Sequence, residues 1–349
     1  MFIKYYGLHF NSDIQSTLPR CEFLSNGLFR ITQPKYLNDK GSESRFYPYF
    51  NEFSPADLAW AKKRYDEIQS NPNCIPSENE LIRLFLMPMG ERIGDAFPHM
   101  FIGEGDFVSM DEYDKSTFLR VVEELNEFIV EALSSTLGVL SLSKTDTNEH
   151  MWNTYASEGK GLAITFNENH IFFKENSIKD VSYLPEKRAA FTYFKGFLRL
   201  NGEPLKNFKS SNLSNLHSIF SELKNKNIDI MELTERLMYS KAPHWFYEEE
   251  ARIVLPLTSC EKTKGKTIYP KFNDKFSRFP FSKDGYPEVC LKKIPFDVFD
   301  SIVFGYAMSN EDKESILNII KGNSQLSHLK IKQAKHDIYG KISTNEIIF

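Results

Sequence analysis

The sequence predicts an α+β fold, and three observations carry that expectation. Short apolar segments with strand-like alternation occur near both ends and in the middle of the chain. Two long stretches, 54–136 and 187–240, read as mostly helical. Strands and helices do not alternate as regular βαβ units, which argues against a parallel doubly wound sheet. Residues 1–349 are therefore expected to form a single domain, with 54–136 as a helical insertion and 187–240 as a second, mostly helical one.

In chain order, residues 2–8 are short, aromatic and β-prone. Asn26-Gly27 lies between apolar runs and marks a turn. Pro34 to Gly41 reads as a loop. Ser54-Pro55 is a helix start, with a capping residue and Pro at the first helical position; Leu58, Ala61, Tyr65 and Ile68 follow at helical spacing. Ser77 with Glu80 forms a capping box ahead of Leu81, Leu84 and Leu86. Residues 111–136 place Phe118, Val121, Val122, Leu125, Phe128, Ile129 and Leu133 on one helical face. Gly138–Ser143 reads as a strand, Met151–Ala156 as a short helix and Gly161–Phe166 as a strand. Residues 179–183 suit a further strand. A polar section around 206–215 reads as a loop inside the second helical block. A strand is expected over 250–257 and another over Asp300–Gly305. Residues 261–289 lack periodicity. Ser309 with Asp312 caps a helix over 310–321, and the tail from Leu329 alternates as one or two strands.

The net charge of −4 and isoelectric point near 6.1 argue against a general nucleic-acid coat, which would be basic. Cys21, Cys74, Cys260 and Cys290 are too scattered for a zinc knuckle or a CxxC pair. Such isolated thiols suit a reducing cytosol. The first six residues carry no signal-peptide pattern. No apolar run approaches the roughly 18 residues that span a bilayer. A cytoplasmic protein without membrane contact is expected.

The segment Trp245-Phe246-Tyr247-Glu248-Glu249-Glu250-Ala251-Arg252-Ile253-Val254-Leu255 sets three carboxylates directly before an apolar strand. Adjacent carboxylates repel, and each raises its neighbours' pKa once removed from water. On a strand, residues i and i+2 share a face, so Glu248, Glu250 and Arg252 would project together and Glu249 away. That set suits catalysis, and equally a structural Glu–Arg pair on a solvated strand edge. Ser141 and Ser143 share a strand face and could orient a ribose, a carboxamide or a carboxylate; polar-out alternation explains them as readily. Trp152 and Tyr155, three apart on a helix, could stack on a flat ring or simply pack. The sequence contains no Walker loop, GxGxxG, HExxH or GxSxG motif, and the expected metal set is none.

Taken together, these segments resemble a bacterial family, domain of unknown function 2971. The resemblance is carried in order by Lys4-Tyr5, Leu37-Asn38-Asp39 with Glu43, Leu140–Ser143, Met151–Ala156, Gly161–Phe166, Lys241, Trp245–Arg252 and Ile302–Gly305. These blocks extend over about residues 3–310. A second, looser resemblance is to mono-ADP-ribosyltransferases of the Arg-Ser-Glu type. Their first strand carries a basic residue, a later one Ser-Thr-Ser, and a third Glu-x-Glu. Here Lys4 or Tyr5, Ser141-Leu142-Ser143 and Glu248-Glu249-Glu250 take those places. Two departures stand out: the first motif lacks Arg or His, and Leu142 replaces the central Thr.

The second resemblance implies an ADP-ribosyltransferase-like split β-sheet core and NAD as co-substrate. It further implies Glu250 as the carboxylate on the ribose hydroxyls and Glu248 as the residue that aligns or deprotonates the acceptor. Ser141 and Ser143 would hold Glu250 or the ribose, and Tyr155 or Trp152 would stack on nicotinamide. Lys4, with Tyr5, would meet the pyrophosphate, and Arg252 would orient a carboxylate. The acceptor would be a macromolecule, protein or nucleic acid, and Lys-bearing segments around 206–226 and 261–271 could attract an acidic one. A toxin or anti-phage role, with a neutralising partner, extends from the same resemblance. Two rivals remain: a metal-dependent nuclease using Asp39, Glu43, Glu248 and Glu250 around Mg²⁺, and a non-catalytic nucleotide- or protein-binding module.

Overall fold

Eight strands, numbered in chain order with the rest, form the central sheet of this computed structural model. The structure describes residues 1–11, 16–38, 43–69, 73–89, 109–205, 223, 228–264 and 289–347. The central sheet contains β1 (Phe2–Tyr6), β6 (Leu137–Ser143), β7 (Leu162–Phe166), β8 (Lys179–Asp180), β12 (Glu250–Pro256), β15 (Phe299–Phe304), β16 (Lys330–His336) and β17 (Ile342–Glu346). Their order is β17-β16-β15-β7-β1-β6-β12-β8. All neighbours are antiparallel except β15 and β16, which are parallel and joined through a helix. The fold is thus mixed α/β, built on a large mixed sheet.

Three smaller sheets surround it. A four-stranded sheet runs β11 (Glu203–Pro204), β10 (Phe197–Leu200), β9 (Ala190–Phe194), β5 (Tyr47–Phe50). A three-stranded sheet runs β13 (Lys262–Lys264), β14 (Val289–Lys293), β4 (Leu28–Ile31). A hairpin pairs β2 (Leu8–Asn11) with β3 (Ser16–Pro19). The helices are α1 (Phe23–Asn26), α2 (Pro55–Ile68), α3 (Glu78–Leu81), α4 (Met110–Thr136), α5 (Glu149–Tyr155), α6 (Ile171–Glu175), α7 (Ile230–Met238) and α8 (Asn310–Gly322).

The capping signals act as read. Ser54 and Ser77 each accept a hydrogen bond from the backbone N–H three residues on, and the carboxylates of Asp57 and Glu80 return the bond. Asn26-Gly27 is not a strand-to-strand turn. Gly27, at φ 71°, ends the single helical turn α1, a left-handed cap that glycine adopts without a Cβ clash. The second insertion is corrected more deeply: residues 190–204 form β9, β10 and β11, and only α7 within the described part of 187–240 is a helix of two turns or more. Lys195-Gly196 and Asn201-Gly202 all have positive φ, so each pair makes a tight hairpin corner. The polar section 206–215 lies outside the described residues, as do the Lys-bearing 206–222 and 265–271.

Strand alternation divides the central sheet between two environments. On one face, Leu140, Leu142, Ile164, Phe166, Ile253, Ile302 and Phe304 pack against α8 through Ile316 and Ile320. The other face carries two separate apolar patches. Ile3, Tyr5, Ala163 and Val303 pack with Trp152 and Ala156 of the α5 region. Val139 packs with α4 and α7 through Leu125, Ile129, Leu133, Leu237 and Met238. Between these patches, the same face of β6 and β12 carries Ser141, Ser143, Glu250 and Arg252. Glu250 lies opposite Ser143, and Arg252 opposite Ser141.

Candidate functional site

β1 and β6 meet at one residue pair only, Ile3 with Ser143, and then diverge. At the other end of β6, Val139 bridges to Thr32, just past β4. Among the described residues, no strand pairs with the edge of β6 between these two contacts. The Ser141 carbonyl points into that split and accepts a hydrogen bond of 2.8 Å from Lys4 Nζ. A cavity of about 310 Å³ occupies the split. Lys4, Tyr5, Ser141, Ser143, Tyr155, Glu248, Glu250 and Arg252 all contribute to its lining. Of the residues expected from sequence, only Trp152 stands apart.

The carboxylate run does not reach the cavity by strand alternation. Glu248 is the last residue of a 3-10 turn, Pro243–Glu248, and β12 begins only at Glu250. Glu249 between them is left-handed, at φ 46° and ψ 49°, and exposed. This corner turns both flanking carboxylates inward. Ser143 holds it, donating a 3.0 Å hydrogen bond to the Glu248 carbonyl.

Part of the lining is a five-membered charge network of Glu43, Lys241, Glu248, Glu250 and Arg252, each no more than 6% exposed. Arg252 donates through Nε to Glu250 Oε1 at 2.7 Å and through Nη2 to Glu250 Oε2 at 3.0 Å. It also reaches Glu43 Oε2 at 2.9 Å and the Met238 carbonyl at 2.8 Å. Lys241 Nζ sits 2.6 Å from Glu248 Oε2, 3.4 Å from Glu250 Oε2 and 2.9 Å from Glu43 Oε1. The last contact is an ion pair without hydrogen-bond alignment. Tyr155 donates to Glu248 Oε1 at 2.6 Å and accepts from Asn38 Nδ2 at 3.0 Å.

Burial penalises every charge here, and the pairing decides which survive. For Glu250, burial works upward, but Arg252 and Lys241 outweigh it and bring the pKa down to about 2. The Ser141 hydroxyl adds to that lowering. For Glu43 the balance is reversed: burial outweighs Arg252 and Lys241, and its pKa is raised. Lys241 and Arg252 are both pushed up; burial opposes their charge, but the carboxylates prevail. Lys4 is brought down to about 8 by burial, with Arg30 adding to the lowering and Glu250 and Glu248 opposing it. Burial and the Glu248 bond raise the Tyr155 hydroxyl above the ordinary phenol range.

Several expected roles are thereby corrected. Trp152 is fully buried, donates to the Asp146 carbonyl at 2.7 Å and packs edge-on against Tyr5, so it cannot stack on a ligand in the cavity. Met151 lines the cavity in its place. Arg252 is 1% exposed and donates to Glu250, Glu43 and the Met238 carbonyl, the contacts of a residue that orients carboxylates. The Ser143 hydroxyl braces the Glu248 corner, and the Tyr5 hydroxyl donates to the Thr145 carbonyl at 2.6 Å. Lys4, Ser141 and Tyr155 remain as groups that a ligand could touch. Asn38, Glu43 and Lys241 belong to the blocks of the DUF2971 resemblance without an NAD-site role, and Glu43 was also a candidate metal ligand; Arg20 and Arg30, which also line the cavity, carry no local sequence signal.

Lys241 also bears on the nuclease alternative. Its ammonium occupies the position among Glu43, Glu248 and Glu250 where a cation would be held. Among the described residues no group of three His, Cys, Asp or Glu has a metal-binding arrangement. Asp39 lies outside the described residues.

The Glu248–Glu249–Glu250 corner and its supports, Lys241 and Tyr155, fall within one segment that comparison with known families picks out. Residues 151–253 match the model of a family described as a protein of unknown function, DUF2971. The DUF2971 match covers less than a third of the chain, narrower than the 3–310 span of the resembling blocks. It includes Tyr155, Lys241, Glu248, Glu250 and Arg252 and leaves out Lys4, Glu43 and Ser141. No curated protein and no solved structure matches the chain. Among the described residues, no helix is long and apolar enough to cross a membrane.

Proposed function

We propose that this protein cleaves NAD and transfers its ADP-ribose to a macromolecular acceptor. One observation carries the reading: Lys4, Ser141, Glu248 and Glu250, distant in sequence, line a single cavity at the split between β1 and β6. On this reading the sheet belongs with the split sheets of ADP-ribosyltransferases. The cavity volume lies at the small end of ligand sites, about 300–1,000 Å³, and suits the nicotinamide riboside half of a dinucleotide.

The chemistry asked of the residues is modest. As the ribose–nicotinamide bond breaks, its electron pair leaves with the ring nitrogen and positive charge grows on the ribose. Glu250, held ionised by Arg252 and Lys241, offers that charge a fixed counter-charge that needs no reorganisation. Glu248 takes the proton that the acceptor loses as its new bond to the ribose forms. Lys241 and Tyr155 fix the two oxygens of Glu248 and so its orientation. The Tyr155 ring lines the cavity and offers a face to a flat ring.

Incubation with labelled NAD and cell lysate tests the reading. Transfer is expected with wild type and should fall at least about 10²-fold in Glu250→Gln. Equal transfer by both would overturn the assignment. Digesting the labelled product with nuclease or protease identifies the acceptor class. A toxic role further predicts that a neutralising protein co-purifies with the chain.

A second reading has its own support. Both oxygens of Glu250 are already engaged by Arg252 and Lys241, which suits a module that binds a nucleotide without turning it over. Calorimetry showing NAD binding with no nicotinamide released would favour it.

A further inference from the structure

Beside the charge network, the cavity lining includes three further cations from other elements of the fold. Lys4 comes from β1, Arg20 from the end of the β2–β3 hairpin and Arg30 from β4, and all three line the cavity. Arg20 and Arg30 are exposed. Among the described residues neither forms an ion pair or a side-chain hydrogen bond, and Lys4 meets only the Ser141 carbonyl. Two further observations make this group unlike a solvated basic surface. Lys4 is half-buried, so part of its hydration is lost. Arg30 also lies close enough to Lys4 to disfavour its charge. Glu250 and Glu248 act on Lys4 from within the protein, whereas Arg20 and Arg30 form no ion pair among the described residues and are open to an anion from outside.

We propose that Lys4, Arg20 and Arg30 form a diphosphate-binding wall that holds the pyrophosphate of a dinucleotide while its ribose end faces Glu248 and Glu250. Planar guanidiniums match phosphate oxygens bidentately, and an ammonium adds a point charge. The wall also resolves an electrostatic conflict. The charge network has three carboxylates and two cations, so an anionic ligand would be repelled unless its own charge lay away from it. This assignment rests on the NAD reading for the identity of the ligand, but diphosphate binding is measurable without any turnover.

Titration calorimetry on the full-length protein tests it with ADP, inorganic pyrophosphate and adenosine as separate probes. ADP is expected to bind, pyrophosphate more weakly, and adenosine at least tenfold more weakly than ADP. Arg20→Gln with Arg30→Gln should weaken ADP at least tenfold and flatten the salt dependence of its affinity. Lys62→Gln with Lys335→Gln removes the same charge elsewhere and should leave ADP affinity within about twofold of wild type, by the weakness of screened distant charges. Near pH 8 ADP binding should take up protons, read from buffers of different ionisation enthalpy, and Lys4→Met should abolish that uptake. Adenosine binding as tightly as ADP, no ADP binding, or equal losses in the two double variants would each overturn the wall. ADP binding that depends on the arginines without any transfer from NAD would keep the wall and sink the transferase.

Discussion

Two walls of one cavity hold their charges in different ways. On the wall built by β6, β12 and the Glu248 corner, every charged group is buried and paired, and each carboxylate meets at least one cation. On the side built by β1, β4 and Arg20, the guanidiniums are exposed and form no ion pair among the described residues. A buried charge is tolerated only with its partners, so the first wall is rigid and any single deletion in it is costly. An exposed charge keeps its water, so the second wall is cheap to alter and free to recruit an anion. Stability and ligand recognition therefore sit on different sides of the cavity, and variants can pull them apart.

The largest separation is expected in activity, where Glu250→Gln should cost at least about 10² in transfer while the Arg20/Arg30 double variant acts mainly on affinity. In stability, Arg252→Met strands Glu250 and Glu43 without their main partner, and urea unfolding should show a loss of about 3–5 kcal/mol. Ile253→Ala, one residue on and facing the apolar core, should cost about 2–5 kcal/mol by cavity formation alone. If Arg252→Met proved neutral, the paired wall would not be the rigid element described.

Acid should act on the paired wall first. Glu250 titrates near 2 in the folded chain against an ordinary 4.5, so its contribution is complete above about 4.5 and is lost as pH falls toward 2. Glu43, with its raised pKa, takes up a proton above pH 4.5 when folded, so its effect is a gain in stability as pH falls toward 4.5, before the Glu250 loss begins. Urea midpoints between about pH 4.5 and 2 should fall less steeply in Glu250→Gln, whereas in Glu43→Gln the gain on acidification toward pH 4.5 should disappear.

Alkali should act on the other wall. Lys4 titrates near 8 when folded against an ordinary 10.5, so between those values only the unfolded chain binds the proton and stability rises with pH. The same urea series should show that rise in wild type and not in Lys4→Met. The smallest effect belongs to the Arg20/Arg30 double variant, whose stability should stay within about 0.5 kcal/mol of wild type. A larger loss would mean that the open wall has protein partners after all.

How much of this was legible depended on whether the signal was local. Helix starts at Ser54 and Ser77 were readable because a cap and its returning carboxylate lie within three residues. The strand at Gly138–Ser143 and its serine face were readable from alternation. Residues 190–204 form strands where helix is expected, because Lys195-Gly196 and Asn201-Gly202 take positive φ and turn the chain back at each corner. In the site, the nearness of Glu248 and Glu250 was anticipated for the wrong reason. A continuous strand was expected, whereas a 3-10 turn and a left-handed Glu249 produce the same convergence. The pairing of Lys241 with three carboxylates was beyond reach, since it depends on where Glu43 is carried by the fold. Trp152 failed as a ligand platform because helical spacing shows which residues share a face and not whether that face meets a core or a cavity.

The cavity is closed by contacts between residues very far apart along the chain. Lys4 and Ser141 are separated by 137 positions, and Glu43 and Arg252 by 209. Contacts of that separation form late, after the costly loops have been closed. During synthesis the first strand and the serine strand exist long before β12 is available to pair with β6, and until then the carboxylates have neither partners nor orientation. The charge network is therefore complete only once Arg252 has been made and docked, and a chain truncated before that point would leave Glu250 and Glu43 without their guanidinium partner.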